Sequence, residues 1–350
     1  MRYQTLGTTG MQVSRYCLGS MMFGGMRGNP DHADCTRIIH AALDAGINFV
    51  DTADVYSHGE SEEIVGGALK GRRDDVILAT KVHHSMGPDP NMQGSSRRWI
   101  MREVEASLKR LQTDWIDLYQ LHRPDPSTRI EETLSAMSDL VHQGKVRVIG
   151  TSTFPAEEIV EYHWAAERSG FQHFSCEQSP YSIFVRAIER SVLPTCAKYG
   201  MGVITNSPLN RAWLAGVYRR LEDIDLTKRP AMDNPRRFDP SLPGPRRKIE
   251  LLEQLVAIAD DAGVPLNHMA MAFVTNHPAV TAAIIGPTRM SDLEAYLAGA
   301  GVELDDETLD RIDAVVPPGT LVTEVDAGYD PPSITTPSLR RRPPGARAAG

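Results

Sequence analysis

The chain has 350 residues, of which 41% are hydrophobic and 23% charged; this is ordinary for a folded globular protein and unlike the disordered or membrane classes. Its 37 Lys plus Arg against 45 Asp plus Glu leave a formal net charge of -8, which argues against nucleic acid as a partner because a phosphate backbone demands a basic surplus. The start lacks the apolar core of a signal peptide, and no stretch approaches the roughly 20 apolar residues of a membrane span, so a cytoplasmic protein with no membrane partner is expected.

The chain opens with a hairpin candidate, Tyr3 to Leu6 and Gln12 to Ser14 around Thr9-Gly10. Short apolar runs then alternate with longer amphipathic ones, the mark of βαβ units. The strand candidates are Tyr16 to Leu18, Ile47 to Val50, Val76 to Thr80 and Ile116 to Leu121, then Val146 to Ile149, His173 to Cys176, Val203 to Thr205 and Thr281 to Ile285. Among the helical stretches between them, Glu131 to His142 carries Leu134, Met137, Leu140 and Val141 on one face and ends before Gly144.

Eight such strands close a (β/α)8 TIM barrel, and barrels of about 250 residues plus insertions are routinely single domains. A doubly wound open sheet would need a glycine-rich phosphate turn in its first unit, and Gly24-Gly25-Met26-Arg27-Gly28 does not match one. The expected fold is therefore α/β: a TIM barrel over residues 1–316, with an N-terminal β-hairpin, accessory helices and a lid loop. Arg219 to Arg247, rich in Pro, Arg and Asp, reads as the lid. Residues 317–350, ending in an Arg- and Pro-rich run, read as a mobile tail. Cys17, Cys35, Cys176 and Cys196 are too scattered for a zinc site or redox pair and read as buried thiols.

Polar residues follow the strands at their C-terminal ends: Asp51, Lys81, His122, Thr151-Ser152-Thr153, Gln178 and Asn206-Ser207. In a parallel barrel these positions converge on the rim that carries chemistry. Each alone has a duller explanation, as a helix cap, a solvated lysine or a structural histidine. Asp51, Tyr56, Lys81 and His122 together form a coherent set. A free tyrosine, with a pKa of about 10, is a poor acid near neutrality. An ammonium beside Tyr56 is expected to lower that value, Asp51 to keep Lys81 charged, and His122 to hydrogen-bond a substrate oxygen. A metal is not expected, since adjacent His83 and His84 would point to opposite faces of a strand.

These residues carry a resemblance to the aldo-keto reductase superfamily from Leu6-Gly7 to about Pro318. Asn48-Phe49-Val50-Asp51-Thr52-Ala53-Asp54-Val55-Tyr56, followed by His58-Gly59-Glu60-Ser61-Glu62, looks like its first signature, and Ala79-Thr80-Lys81 and Asp117-Leu118-Tyr119-Gln120-Leu121-His122 like the others. The resemblance implies hydride transfer from a nicotinamide to an aldehyde or ketone, with Tyr56 as proton donor. It also implies a dinucleotide stretched across the barrel mouth. Gly19, Ser20 and Met21 match contacts from the first strand, with Asp51 nearby; Ser152 and Gln178 match the carboxamide partners, and Ser207-Pro208-Leu209 the loop over the pyrophosphate.

Three departures stand out. Asn206 occupies the position where an aromatic usually stacks on the nicotinamide, and Thr153 follows Ser152 where many relatives have Asn. Near Gly286 the expected arginine comes one place late, as Arg289, and Asp292 replaces an adenine-binding Gln. An arginine against the extra ribose phosphate favours NADP(H), with NAD(H) as the alternative. The substrate is a small carbonyl compound whose identity rests with loops such as Met22 to Pro30, His84 to Gly94 and Arg211 to Arg247; Met21, Met22, Phe23, Trp213 and Tyr218 serve either as an apolar pocket or as ordinary packing. Two other functions compete: a cofactor-binding sensor or partner subunit with little turnover, and a metal-dependent barrel hydrolase. The sequence assigns no oligomeric state.

Overall fold

Alternation of side chains along eight strands organises the molecule, whose computed structural model describes residues 1–26 and 28–340. An N-terminal hairpin pairs β1 (Tyr3–Thr5) with β2 (Gln12–Ser14) antiparallel. The strands β3 (Tyr16–Gly19), β4 (Phe49–Asp51), β5 (Ile77–Val82), β6 (Ile116–Leu121), β7 (Val146–Ser152), β8 (Phe174–Pro180), β9 (Gly202–Asn206) and β10 (Ala282–Ile285) then form one closed parallel barrel. Closure comes from β10 against β3, with Ala283 beside Tyr16 and Ile285 beside Leu18. Every expected strand is present. Their ends differ by up to four residues, because β7 and β8 continue through the polar residues that the apolar pattern leaves out.

Successive strand residues face opposite sides. Cys17, Phe49, Ala79, Leu118, Cys176, Ile204 and Ala282, one from each of seven strands, meet in a single buried cluster inside the barrel. Leu6 and Val13 of the hairpin join it, so the hairpin plugs the barrel bottom. Gly7 is required there: its φ is +54°, and a Cβ would lie 2.5 Å from the Gly200 carbonyl oxygen and from the Gly202 nitrogen. All four cysteines are buried and unpaired.

Helices α1 (His32–Asp44), α2 (Glu60–Ala68), α3 (Arg97–Leu111), α4 (Ile130–His142), α5 (Ala156–Ser169) and α6 (Val192–Lys198) alternate with the strands from β3 to β9. Local chemistry sets their ends. Asp31 accepts from the Ala33 and Asp34 amides to start α1, and Gly144, at φ 72°, follows the end of α4. The outward strand residues and the inward helix faces make the larger core, for example Val50, Leu78 and Tyr119 with Ile38, Val65 and Val104.

After β9 come the short α7 (Pro235–Phe238), α8 (Pro243–Asp261) and α9 (Leu266–Asn276); α10 (Met290–Ala298) and α11 (Asp306–Val315) follow β10. The segment Arg219 to Arg247 is thus only partly irregular, since it contains α7 and the first turn of α8. Arg229 Nη2 donates to the Met26 carbonyl at 2.7 Å, which ties this segment to the loop after β3. Trp213 is fully buried, stacked on Phe238 at 5.6 Å and packed on Tyr218 at 5.1 Å. The apolar-pocket alternative fails for Trp213, which is core.

The sequence reading begins a mobile tail at Pro317, but residues 317–328 are bound to the barrel. The Val322 amide donates to the Phe184 carbonyl at 3.0 Å, the Arg186 amide to that of Thr320 at 2.8 Å, and Asp326 is buried among cations. The arginine-rich end from 341 onward, and Arg27, lie outside the described residues. Among the described residues no helix is long and apolar enough to cross a membrane.

Candidate active site

One layer above the apolar barrel filling, the same alternation aims polar side chains inward. Phe49 is followed two residues later by Asp51, Ala79 by Lys81, Leu118 by Gln120 and Cys176 by Gln178. Lys81 Nζ donates to Asp51 Oδ2 at 2.7 Å, to the Thr52 carbonyl at 2.8 Å and to the Tyr56 hydroxyl at 3.4 Å. Asp51 Oδ1 accepts from Gln178 Nε2 at 2.9 Å and from Gln120 Nε2 at 3.3 Å. The carboxylate is therefore gripped from three strands, and the Lys81 side chain is completely buried.

Tyr56 reaches this group from a tight turn. Ser57, His58 and Gly59 all have positive φ, at 48°, 53° and 95°, a costly run for two side-chain-bearing residues. Ser57 Oγ donates to the Phe23 carbonyl at 3.3 Å, which fastens the turn to the loop after β3. His122, one residue beyond β6, lies edge-on to Tyr56 at 5.9 Å and to His84 at 4.6 Å between ring centroids. Its buried Nδ1 has no hydrogen-bond partner among the described residues.

Charge states follow from these surroundings. Burial pushes the Tyr56 phenol up, and the pull of Lys81 in the other direction does not overcome it. The expectation of a lowered phenol is thereby corrected: the ammonium limits the rise rather than reversing it. Burial also acts against the Lys81 ammonium, but Asp51 and Tyr56 outweigh it and hold Lys81 above its usual value. His122 is driven well below the usual imidazole value by burial first, then by Lys81, His84 and Arg123. The site at neutral pH therefore holds a protonated phenol, an ammonium and a neutral imidazole.

The residues matched to a dinucleotide ring this group. Gly19 ends β3, and buried Ser20 donates to the Asp51 carbonyl at 3.1 Å and accepts from Ser61 Oγ at 2.8 Å; Met21 follows, half-buried. Ser152 and Gln178 are register partners on β7 and β8, a hydroxyl beside a carboxamide, as an amide-bearing ring requires. Asn206 and Ser207 line a cavity of about 240 Å³ together with Arg211 and Arg237, while Leu209 packs against the core at the loop's inner side. Such basic and polar donors suit a pyrophosphate.

Gly286 follows β10 with open space around its α-carbon. Asp292 accepts from the Thr288 and Arg289 amides, both at 3.0 Å, and so caps α10. Exposed Arg289 reaches back to it at 3.4 Å. Both residues of the adenosine-end match thus serve the helix start in this structure.

The sequence reading misses Gln120, whose inward direction follows from the alternation through Leu118. It also misses Arg123 and the buried Glu177. Glu177 accepts from Thr151 Oγ1, Ser179 Oγ and the Thr153 amide, shaping the β7 exit, and burial raises its carboxyl to about 7. His83 and His84 have ring centroids 5.5 Å apart, and no group of three or more metal-binding side chains occurs among the described residues.

A closed parallel barrel with an acid–base cluster inside its C-terminal mouth defines a (β/α)8 enzyme-type scaffold. The model of the Aldo/keto reductase family matches residues 15–317, and this chain belongs to that family. The Aldo-keto reductase YhdN of Bacillus subtilis is 36% identical, covering 90% of this chain and 94% of that protein. A protein of Arabidopsis thaliana named probable voltage-gated potassium channel subunit beta is also 36% identical, covering 90% and 97%. The norsolorinic acid reductase of Aspergillus flavus is 32% identical, covering 89% and 79%. Membership supports an oxidoreductase acting on small carbonyl compounds, in a family whose usual cofactor is a nicotinamide.

Proposed function

We propose that the chain reduces an aldehyde or ketone to the alcohol with NADPH, Tyr56 giving the proton. The observation that carries this reading is Lys81 Nζ bound at once to Asp51 and to the Tyr56 hydroxyl inside the barrel mouth. Gly19, Ser20, Met21, Ser152, Gln178 and Asn206 would hold the nicotinamide end, Ser207 and Leu209 the pyrophosphate, and Gly286 and Arg289 the adenosine, with Asp292 fixing the start of α10 beside them. When bound, the cofactor supplies the hydride. His122, neutral, orients the carbonyl oxygen by a hydrogen bond. Tyr56 delivers its proton to that oxygen as it becomes negative, and Lys81, fixed by Asp51, stabilises the phenolate left behind.

Fluorescence titration with NADPH and NADH, followed by NADPH consumption with a panel of aldehydes and ketones, tests the reading. Tighter binding of NADPH and clear turnover of a simple aldehyde support it. A second reading, a cofactor-binding partner subunit, draws on the relatives named as channel subunits and on Asn206 in place of a stacking aromatic. NADPH binding without consumption across the whole panel would favour that reading instead.

A further inference from the structure

The Tyr56 hydroxyl is the farthest of the three groups that Lys81 Nζ meets, at 3.4 Å against 2.7 Å for Asp51 and 2.8 Å for the Thr52 carbonyl. Two elements must hold still to keep that spacing, because Tyr56 stands in the tight turn before α2 and Lys81 on β5. Glu62, in the first turn of α2, ties them together from behind. Its side chain is fully buried. Oε1 accepts from Thr80 Oγ1 at 2.6 Å, and Thr80 immediately precedes Lys81, with its side chain on the opposite face of the strand. Oε2 accepts from Arg110 Nε at 2.6 Å. Arg110 Nη2 in turn donates to Glu103 Oε1 at 2.5 Å and to Ser107 Oγ at 3.1 Å, which fixes the guanidinium on α3. The Arg110 stem also underlies the turn, since a Cβ at Gly59 would lie 2.7 Å from Arg110 Cδ.

The turn that carries Tyr56 is thus pinned to β5 at both ends: the Asp54 amide donates to the Lys81 carbonyl at 3.2 Å before it, and the Glu62 carboxylate takes the Thr80 hydroxyl after it. A supporting layer of this kind decides how precisely reacting groups meet, and a misplacement of about 1 Å can cost about 100-fold in rate. We propose that Glu62 is a positioning residue: by holding Thr80 and Arg110 at once, it sets the spacing between the Tyr56 hydroxyl and the Lys81 ammonium through the backbones of α2 and β5. This rests on the reductase reading and adds a residue to it.

The test follows single-turnover NADPH oxidation with an aldehyde that the wild type reduces, in the full chain, with urea unfolding to confirm that each variant is folded under the assay conditions. Glu62→Gln removes the charge that holds Arg110. Thr80→Val keeps the shape of the strand residue but removes the hydroxyl, and so tests the link even where Glu62→Gln does not fold. Each should slow the step by about 10-fold to 100-fold, while KM and NADPH binding by fluorescence titration stay close to wild type. The two changes together should slow it little more than either alone, because they break the same link. Thr80→Ser, which restores the hydroxyl, should recover most of the rate. A Thr80→Val protein that is less stable in urea yet turns over at the wild-type rate overturns this inference and leaves the reductase reading standing, since Glu62 then serves the fold alone. An equal loss of rate in Thr80→Ser and Thr80→Val, or a change confined to KM or NADPH binding, overturns it as well. Absence of NADPH consumption by the wild type across a panel of aldehydes overturns the reductase reading and this inference with it.

Discussion

Lys81 and Asp51 form an ion pair at 2.7 Å with both side chains almost fully buried, 30 residues apart in sequence and brought together by the parallel pairing of β4 with β5. Such a pair is costly to break, because removing one partner strands the other charge away from water. Lys81→Met should destabilise the fold by about 3–5 kcal/mol in urea unfolding. Adding Asp51→Asn should recover much of that loss while activity stays absent. Equal stability of Lys81→Met and wild type would show that breaking the pair leaves no buried charge uncompensated.

The pH profile follows from the directions of two shifts. Burial holds the Tyr56 phenol above its ordinary value of about 10, so the donor keeps its proton until strongly alkaline pH. His122 lies well below its ordinary value of about 6.5, so it stays neutral down to distinctly acid pH. Reduction measured as kcat/KM should therefore be level between about pH 6.5 and 10 and decline on the alkaline side above that. A bell centred on neutrality would contradict both assignments.

A second buried charge cluster lies behind the loop after β9, the one proposed to cover the cofactor. Lys248 Nζ donates to Asp326 Oδ2 at 2.5 Å and to Asn210 Oδ1 at 2.7 Å, and Arg237 Nε donates to Asp326 Oδ1 at 2.7 Å. The cluster links α8, the segment 317–328 and a loop in which Ser207, Asn210, Arg211 and Ala212 all have positive φ. Asp326→Asn should cost about 3–5 kcal/mol, the usual effect of leaving a buried cation short of its partner. The pair of changes Lys248→Met and Asp326→Leu should regain stability, yet bind NADPH more weakly than wild type because Asn210 is no longer held. Unaltered NADPH affinity in that double variant would free the loop from this dependence.

The barrel was legible because each strand repeats a local apolar pattern, and the inward layer was legible because a period of two carries Phe49 to Asp51 and Ala79 to Lys81. Gln178 was legible as a strand-end residue, but its bond to Asp51, 127 residues away, was not. Pairings of that kind depend on closure of the sheet and leave no local trace. The same holds for Asp326, which looks like one acidic residue in a Pro-rich tail until Lys248 and Arg237 are brought beside it. The direction of the Tyr56 shift was misjudged for a related reason: a charge partner is visible in sequence, whereas the extent of burial opposing it is a property of the folded barrel. Asp292 shows the converse case, a residue matched by position whose oxygens are taken by the start of α10.

The most direct measurement compares Tyr56→Phe with wild type, using NADPH and an aldehyde that the wild type reduces. Removing only the phenolic oxygen should lower kcat by about 100-fold to 10,000-fold, the usual contribution of a positioned acid, while NADPH binding by fluorescence titration stays close to wild type. Near-normal turnover in Tyr56→Phe would contradict the account.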